Sequence, residues 1–174
     1  MNSTIRNVAA FLIAAIFGLS TATILADEKD QLTGKFYVSV DDSAQIYLNG
    51  ELLYKAALDL TESPEITLKP DDRIVVKLKN EGREYRFGMM FASKDRKYAM
   101  SFTPSSFRLV KDPDVVDFKA EDFSNFLKIA KTVKDDSKNP FPFKNTSRWM
   151  WGEDSKSCSI ATVIKKEDIK PLTK

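Results

Sequence analysis

Asn49-Gly50 stands between two runs that alternate apolar and polar residues, and this dipeptide commits the chain to an antiparallel hairpin. A two-residue type I′ turn needs positive φ at both central positions, which Asn and Gly tolerate. With these two as the turn, Leu48 opposes Glu51, Tyr47 opposes Leu52, Ile46 opposes Leu53 and Gln45 opposes Tyr54, and opposed residues share a face. One face then carries Ile46, Leu48 and Leu53, suited to a core. The other carries Gln45, Tyr47, Leu52 and Tyr54, half polar and partly aromatic.

The rest of the chain extends this pattern. Phe36, Val38 and Val40 alternate with Lys35, Tyr37 and Ser39, a half-buried strand that runs into Asp41-Asp42. Residues 65–68, then 73–79 after the turn Lys69-Pro70-Asp71-Asp72, give two more strands; proline presets φ and the carboxylates cap the backbone. Residues 84–91 align Tyr85, Phe87, Met89 and Phe91, residues 97–103 align Tyr98, Met100 and Phe102, and residues 157–164 close the set. Past Pro104 the period changes. Phe123, Phe126, Leu127 and Ala130 fall at i, i+3, i+4 and i+7 and predict one short helix over residues 120–131. Short strands at regular spacing predict an all-β fold, an antiparallel sandwich or barrel, with one helix. The domain spans residues 34–165, between a polar lead at 27–33 and a loose tail at 166–174.

The amino terminus has a different character. Arg6 precedes an uncharged run from Val8 to Ala26, after which Asp27-Glu28-Lys29-Asp30 restores charge. Residues 1–26 read as a signal peptide cut after Ala26, with Ala22 as the other cut, and a retained anchor is the alternative because the run approaches membrane-spanning length. The mature chain is expected to be secreted or periplasmic and free of the membrane. Losing Arg6 and no acid leaves 26 basic against 25 acidic residues, scattered in sign, so no nucleic acid partner is implied. The single cysteine, Cys158, precludes an internal disulfide; export without disulfides points to a bacterial source. With no histidine, Ser-His-Asp and Cys-His chemistry are excluded. A carboxylate-pair glycosidase needs only two acids across a cleft, and no pair stands out, so the chain reads as non-catalytic.

Three segments carry a family resemblance. Residues 34–42 followed by Ile46-Tyr47-Leu48-Asn49-Gly50 resemble the strand, double aspartate and Y-x-N-G hairpin of galactose-binding-like jelly rolls and PA14 modules. Asp122-Phe123-Ser124-Asn125-Phe126 with Ala130 resembles the helical turn of galactose-binding-like accessory domains of secreted glycosidases, and Arg148-Trp149-Met150-Trp151 resembles their W-I-W strand entry, which there precedes the hairpin and here follows it. The resemblance implies an antiparallel β-sandwich of jelly-roll type and a carbohydrate-binding module for polysaccharide or cell-surface glycan. The alternative is a structural or protein-interaction module of the cell envelope; a glycosidase ranks third.

Two sets of site residues follow. Trp149, Trp151, Tyr47 and Tyr54 are the sugar-platform residues, because a ring face stacks on the apolar face of a pyranose; their plainer reading is core packing. Alternation puts Trp149 and Trp151 on one face. Asp41 and Asp42 offer hard oxygen ligands to calcium, and in some PA14 lectins the matching pair holds one; their plainer reading is a turn cap.

Overall fold

The computed structural model describes residues 31–83, 85–110, 116, 131–132, 141–143, 146–152 and 156–171. Among the described residues, eleven strands build one antiparallel sheet: β1 (Leu32–Leu48), β2 (Glu51–Glu62), β3 (Ile66–Leu68), β4 (Arg73–Lys79), β5 (Phe87–Ser93), β6 (Tyr98–Ser101), β7 (Arg108–Val110), β8 (Lys131–Thr132), β9 (Met150–Trp151), β10 (Ser157–Val163) and β11 (Lys170–Pro171). The main path runs β11-β6-β5-β1-β4-β10-β7, with β2 and β3 on β1 and β9 linking β5 to β8.

The 17-residue β1 turns this single sheet into two layers. Its first part, Gly34 to Val40, pairs with β5, and its second, Ser43 to Leu48, pairs with β4. The exchange of partners falls at Asp41-Asp42. There the register against β2 steps from Val40 opposite Asp59 to Ser43 opposite Ala57, so two residues of β1 meet the single Leu58. A bulge of this kind bends a strand and lets it pass from one layer to another. Leu58 and Asp59 take positive φ, 37° and 66°. At Gly34, a Cβ would overlap the Ala92 carbonyl oxygen, which accounts for glycine at this contact with β5.

Both layers face one core. Phe36, Val38, Val40, Ala44 and Ile46 of β1 join Ile74, Val76 and Leu78 of β4, Phe87, Met89 and Phe91 of β5, and Cys158 and Ile160 of β10. Rings of Phe91, Phe36, Phe102, Phe107 and Phe87 form a chain with centroids 5.5 to 6.4 Å apart, spacing at which edge-to-face contacts are favourable. The all-β expectation holds. The outer faces are partly covered as well: Tyr37, Phe141 and Phe143 pack on Met90, Ala92 and Ala99, so β5 is buried throughout.

The Asn49-Gly50 turn forms with φ of 52° and 89°. Asn49 also ties it to the Pro70 turn, donating from Nδ2 to Asp72 Oδ1 at 3.0 Å and accepting from the Arg73 amide at 2.9 Å. Leu48 opposes Glu51 and Tyr47 opposes Leu52 as the turn dictates, but the register then slips: Ile46 opposes Tyr54 and Gln45 opposes Lys55. An extra residue at Leu53 makes a second bulge, and Leu53 and Tyr54 both pack against the core. Residues 166–171 depart from the expected loose tail. Residues 166–168 form a 3₁₀ turn, Ile169 packs against the core, and β11 pairs with β6. The predicted helix lies outside the described residues except for Lys131, which opens β8; the predicted signal lies outside them too.

Candidate functional site

The Asp41-Asp42 bulge is held by hydrogen bonds that its own geometry calls for. The Asp41 amide, displaced from the ladder with β2, donates to the Arg86 carbonyl at 3.0 Å. The Arg86 guanidinium returns to Asp41, with Nη2 3.6 Å from Oδ1. Asp42 Oδ2 accepts the amides of Glu81 and Gly82 at 2.7 and 3.1 Å, and the Gly82 amide is shared with Asn80 Oδ1 at 2.8 Å. Asp42 therefore caps the turn that follows β4, much as a side chain caps a helix end.

This donor set does not suit calcium. A hard dication takes six to eight oxygens, several of them anionic. Here the Asp42 oxygen already accepts two N–H groups, and a guanidinium lies beside Asp41. Asn80 Nδ2 is buried without a hydrogen-bond partner, yet it is a donor and no metal ligand. Among the described residues no three of His, Cys, Asp and Glu gather where an ion could sit.

The four aromatic residues are not brought together. Trp151 is 2% exposed and packs in the main core, its ring edge-on to Tyr85 at 5.6 Å. Trp149 is half-buried and lies against Gly88, where a Cβ would come within 3.2 Å of its ring, and under the Arg86 guanidinium at 5.3 Å. Arg86 and Gly88 alternate with Tyr85 and Phe87, so the two tryptophans sit on opposite faces of this stretch. The expected pairing on one face fails because Met150 and Trp151 are both buried, between β5 and β8. Tyr54 faces the core. Its hydroxyl has no hydrogen-bond partner, and burial holds the phenol well above the usual tyrosine range, the Thr61 side chain opposing this in part.

Tyr47 keeps its expected face. On the outer side of the second layer, register places Ala57, Ser43, Lys79 and Ser157 in one row, then Lys55, Gln45, Lys77 and Ser159, then Leu52, Tyr47, Val75 and Ala161. The Tyr47 hydroxyl donates to Gln45 Oε1 at 2.9 Å, and its ring packs on Val75, Val110 and Ala161. Beside it, Ser43, Gln45, Lys77, Leu78, Lys79, Ser157 and Cys158 line a recess of about 370 Å³. Lys79 ion-pairs with Glu81 at 2.7 Å; that hydrogen bond and charge, with Asp42 nearby, raise its pKa.

The arrangement thus links two sequence-derived sets through a residue neither contained: Arg86 touches both Trp149 and Asp41. Arg86 shares its side of the strand with Gly88, a position bare enough to seat a ring, and that glycine was the only available signal. Lys77 and Lys79 were visible as the polar side of β4, but their neighbours Ser43 and Ser157 come from strands far away in the chain. No protein-family model, curated protein or solved structure matches this chain.

Proposed function

We propose that the protein is an exported, non-catalytic carbohydrate-binding module, acting outside the cytoplasm on polysaccharide or cell-surface glycan. One observation carries the reading: Arg86 lies 5.3 Å over the Trp149 ring and 3.6 Å from Asp41. An aromatic face beside a fixed cation and carboxylate is what a sugar ring requires. The ring takes the C–H face, the guanidinium donates to hydroxyl oxygens and the carboxylate accepts from hydroxyl protons. Trp149 is half-buried against Gly88 of β5.

The test is retardation of the full chain in native gels cast with plant, bacterial and algal polysaccharides, for the parent and for Trp149→Ala. Retardation by at least one polysaccharide that the variant loses is expected. Equal mobility of parent and variant in every gel would overturn the reading.

A second reading, a protein-interaction module of the envelope, is favoured by β2. Among the described residues it pairs only with β1, and it exposes Leu52, Leu58 and Leu60 at 47, 65 and 38%. An unpaired edge bearing apolar side chains is a template for strand addition. Cross-linking of the full chain in intact envelopes tests it, a partner band being lost in Leu52→Lys/Leu60→Lys.

A further inference from the structure

The side of β10 that faces the core carries Cys158, Ile160 and Ile164, and a period of two adds Thr162 to it. Thr162 is 5% exposed, and among the described residues its hydroxyl meets no hydrogen-bond partner. A hydroxyl on a core face without a partner costs stability unless something outside the fold completes it. The ladder between β10 and β7 ends at Ala161 opposite Arg108. Just past it, Thr162 and Val163 line a recess of about 490 Å³, shared with Arg108, Lys165 and Asp168 and walled on one side by the 3₁₀ turn at residues 104–106.

Three charged residues line this recess, and the fold positions each of them. Arg108 Nη1 donates to the carbonyls of Ser105 and Phe107 at 3.0 and 3.1 Å, and Phe107 is buried in the core, so the guanidinium is anchored through one nitrogen. Its Nε and Nη2, the side-on fork that matches a carboxylate, make no bond among the described residues. Lys165 and Asp168 stand between Ile164, which is in the core, and Ile169, which packs against it. Asp168 Oδ2 accepts the Lys165 amide at 3.0 Å, which leaves Oδ1 open. Among the described residues neither Lys165 nor Arg108 is ion-paired with Asp168 or with another carboxylate. Two cations and one acid thus line one concave surface without neutralising one another.

From this geometry we infer that the recess binds a sugar acid, a monocarboxylate that also carries hydroxyl groups. The open fork of Arg108 takes the carboxylate with two parallel N–H bonds, and the Lys165 ammonium adds its charge on a flexible stem. Asp168 Oδ1, an acceptor only, takes a hydroxyl proton, and Thr162 Oγ1 both donates and accepts. A single negative charge balances the net positive charge of the lining, whereas a dianion such as phosphate sets its second charge against Asp168. Val163 alone offers an apolar side chain among the described lining residues, too little for a hydrophobic ligand, and the volume is that of a small-molecule site. This site does not depend on the Trp149–Arg86 contact. Its ligand arrives either as a free sugar acid or as an acidic unit of a polysaccharide, which share this chemistry.

Amide-resolved NMR titration of the isotope-labelled full chain with galacturonate, galactose, trigalacturonate and inorganic phosphate tests the inference. Galacturonate is expected to shift the amides around Arg108, Thr162 and Lys165, and to bind roughly tenfold more tightly than galactose, which lacks the carboxylate, the scale of one charge-assisted hydrogen bond. Arg108→Gln and Lys165→Gln should each remove most of that preference. Thr162→Val should weaken galacturonate binding yet melt no lower than the parent without ligand, because its hydroxyl has no internal partner to lose. If Arg108→Gln fails to fold for want of its two carbonyl contacts, Thr162→Val and Lys165→Gln still decide the matter. Asp168→Asn should weaken galacturonate and strengthen phosphate. Trigalacturonate binding more tightly than the monomer would support the inference with a polysaccharide as the source, and weaker binding would support it with the free acid. Galactose binding as tightly as galacturonate, phosphate binding as tightly as galacturonate, Thr162→Val and Lys165→Gln both without effect, or no shift with any of the four compounds would each overturn it. Trp149→Ala should leave these shifts unchanged whatever it does in the polysaccharide gels, so either reading can fail alone; loss of the shifts in that variant would overturn the separate site.

Discussion

Tyr54 lies opposite Ile46 across the hairpin, and this pairing drives a phenol into the core that an uninterrupted turn would have placed beside Gln45. The bulge at Leu53 carries the ring inward, and its hydroxyl is buried with no partner. Removing an unsatisfied buried polar group relieves its desolvation cost. Tyr54→Phe is therefore expected to stabilise the protein by about 1 kcal/mol, read as a rise in Tm of roughly 2–4 °C.

The same residue shapes the alkaline limb of stability. Burial raises the phenol's pKa in the folded state, so above the ordinary value of about 10 the unfolded chain loses its proton first and the native state binds more protons. Stability contributed by this group is complete below that value and falls as pH rises past it, by up to about 1.4 kcal/mol per pH unit. Urea denaturation from about pH 9 to about pH 11 should show a steeper loss in the parent than in Tyr54→Phe. Parallel curves would refute the assignment.

Asp42 caps the turn after β4 through two amides. Asp42→Ala leaves both without that acceptor and should cost about 0.5–2 kcal/mol, the scale of a lost polar cap; Asp42→Asn keeps one acceptor oxygen and should cost less. Because Arg86 and these amides already engage the aspartate pair, the parent should melt at the same temperature in calcium and in chelator. A calcium-dependent rise that vanishes in Asp42→Ala would restore the metal site.

Leu58 is exposed and carries φ of 37°, a conformation that costs an L-residue about 1–2 kcal/mol. Glycine escapes that cost but loses more chain entropy on folding, about 0.5–1 kcal/mol. Leu58→Gly should thus be neutral to stabilising by about 1 kcal/mol, and Leu58→Val, β-branched at positive φ, destabilising. Thermal melts of the two variants should move in opposite directions or at least separate clearly.

The tryptophans should report their separation directly. In Trp149→Phe the remaining Trp151, 2% exposed, should resist acrylamide quenching and emit at short wavelength. In Trp151→Phe the half-buried Trp149 should be quenched more strongly, and the loss of a core ring should lower stability by about 1–3 kcal/mol. Similar quenching in both variants would contradict the two environments.

Local chemistry alone was enough to determine the Asn49-Gly50 turn, the limits of Arg73–Lys79 as a strand, the alternating core residues Phe36, Val38 and Val40, and the all-β class. Each follows from dihedral preference or from a period of two, and these act within a few residues. Tertiary structure decided the rest. Alternation assigns a face only until a residue is inserted, and the bulges at Asp41-Asp42 and Leu53 reset the count, which is why Leu52 and Tyr47 stayed where expected and Tyr54 did not. The choice of β5 along one part of β1 and β4 along the other depends on hydrogen-bond partners distant in the chain, as does the meeting of Arg86 with Trp149 and Asp41. Trp149 and Trp151 went to opposite sides because both faces of β5 are covered, so a large apolar ring could be buried on either, and only the packing of neighbours from elsewhere in the sequence settled which.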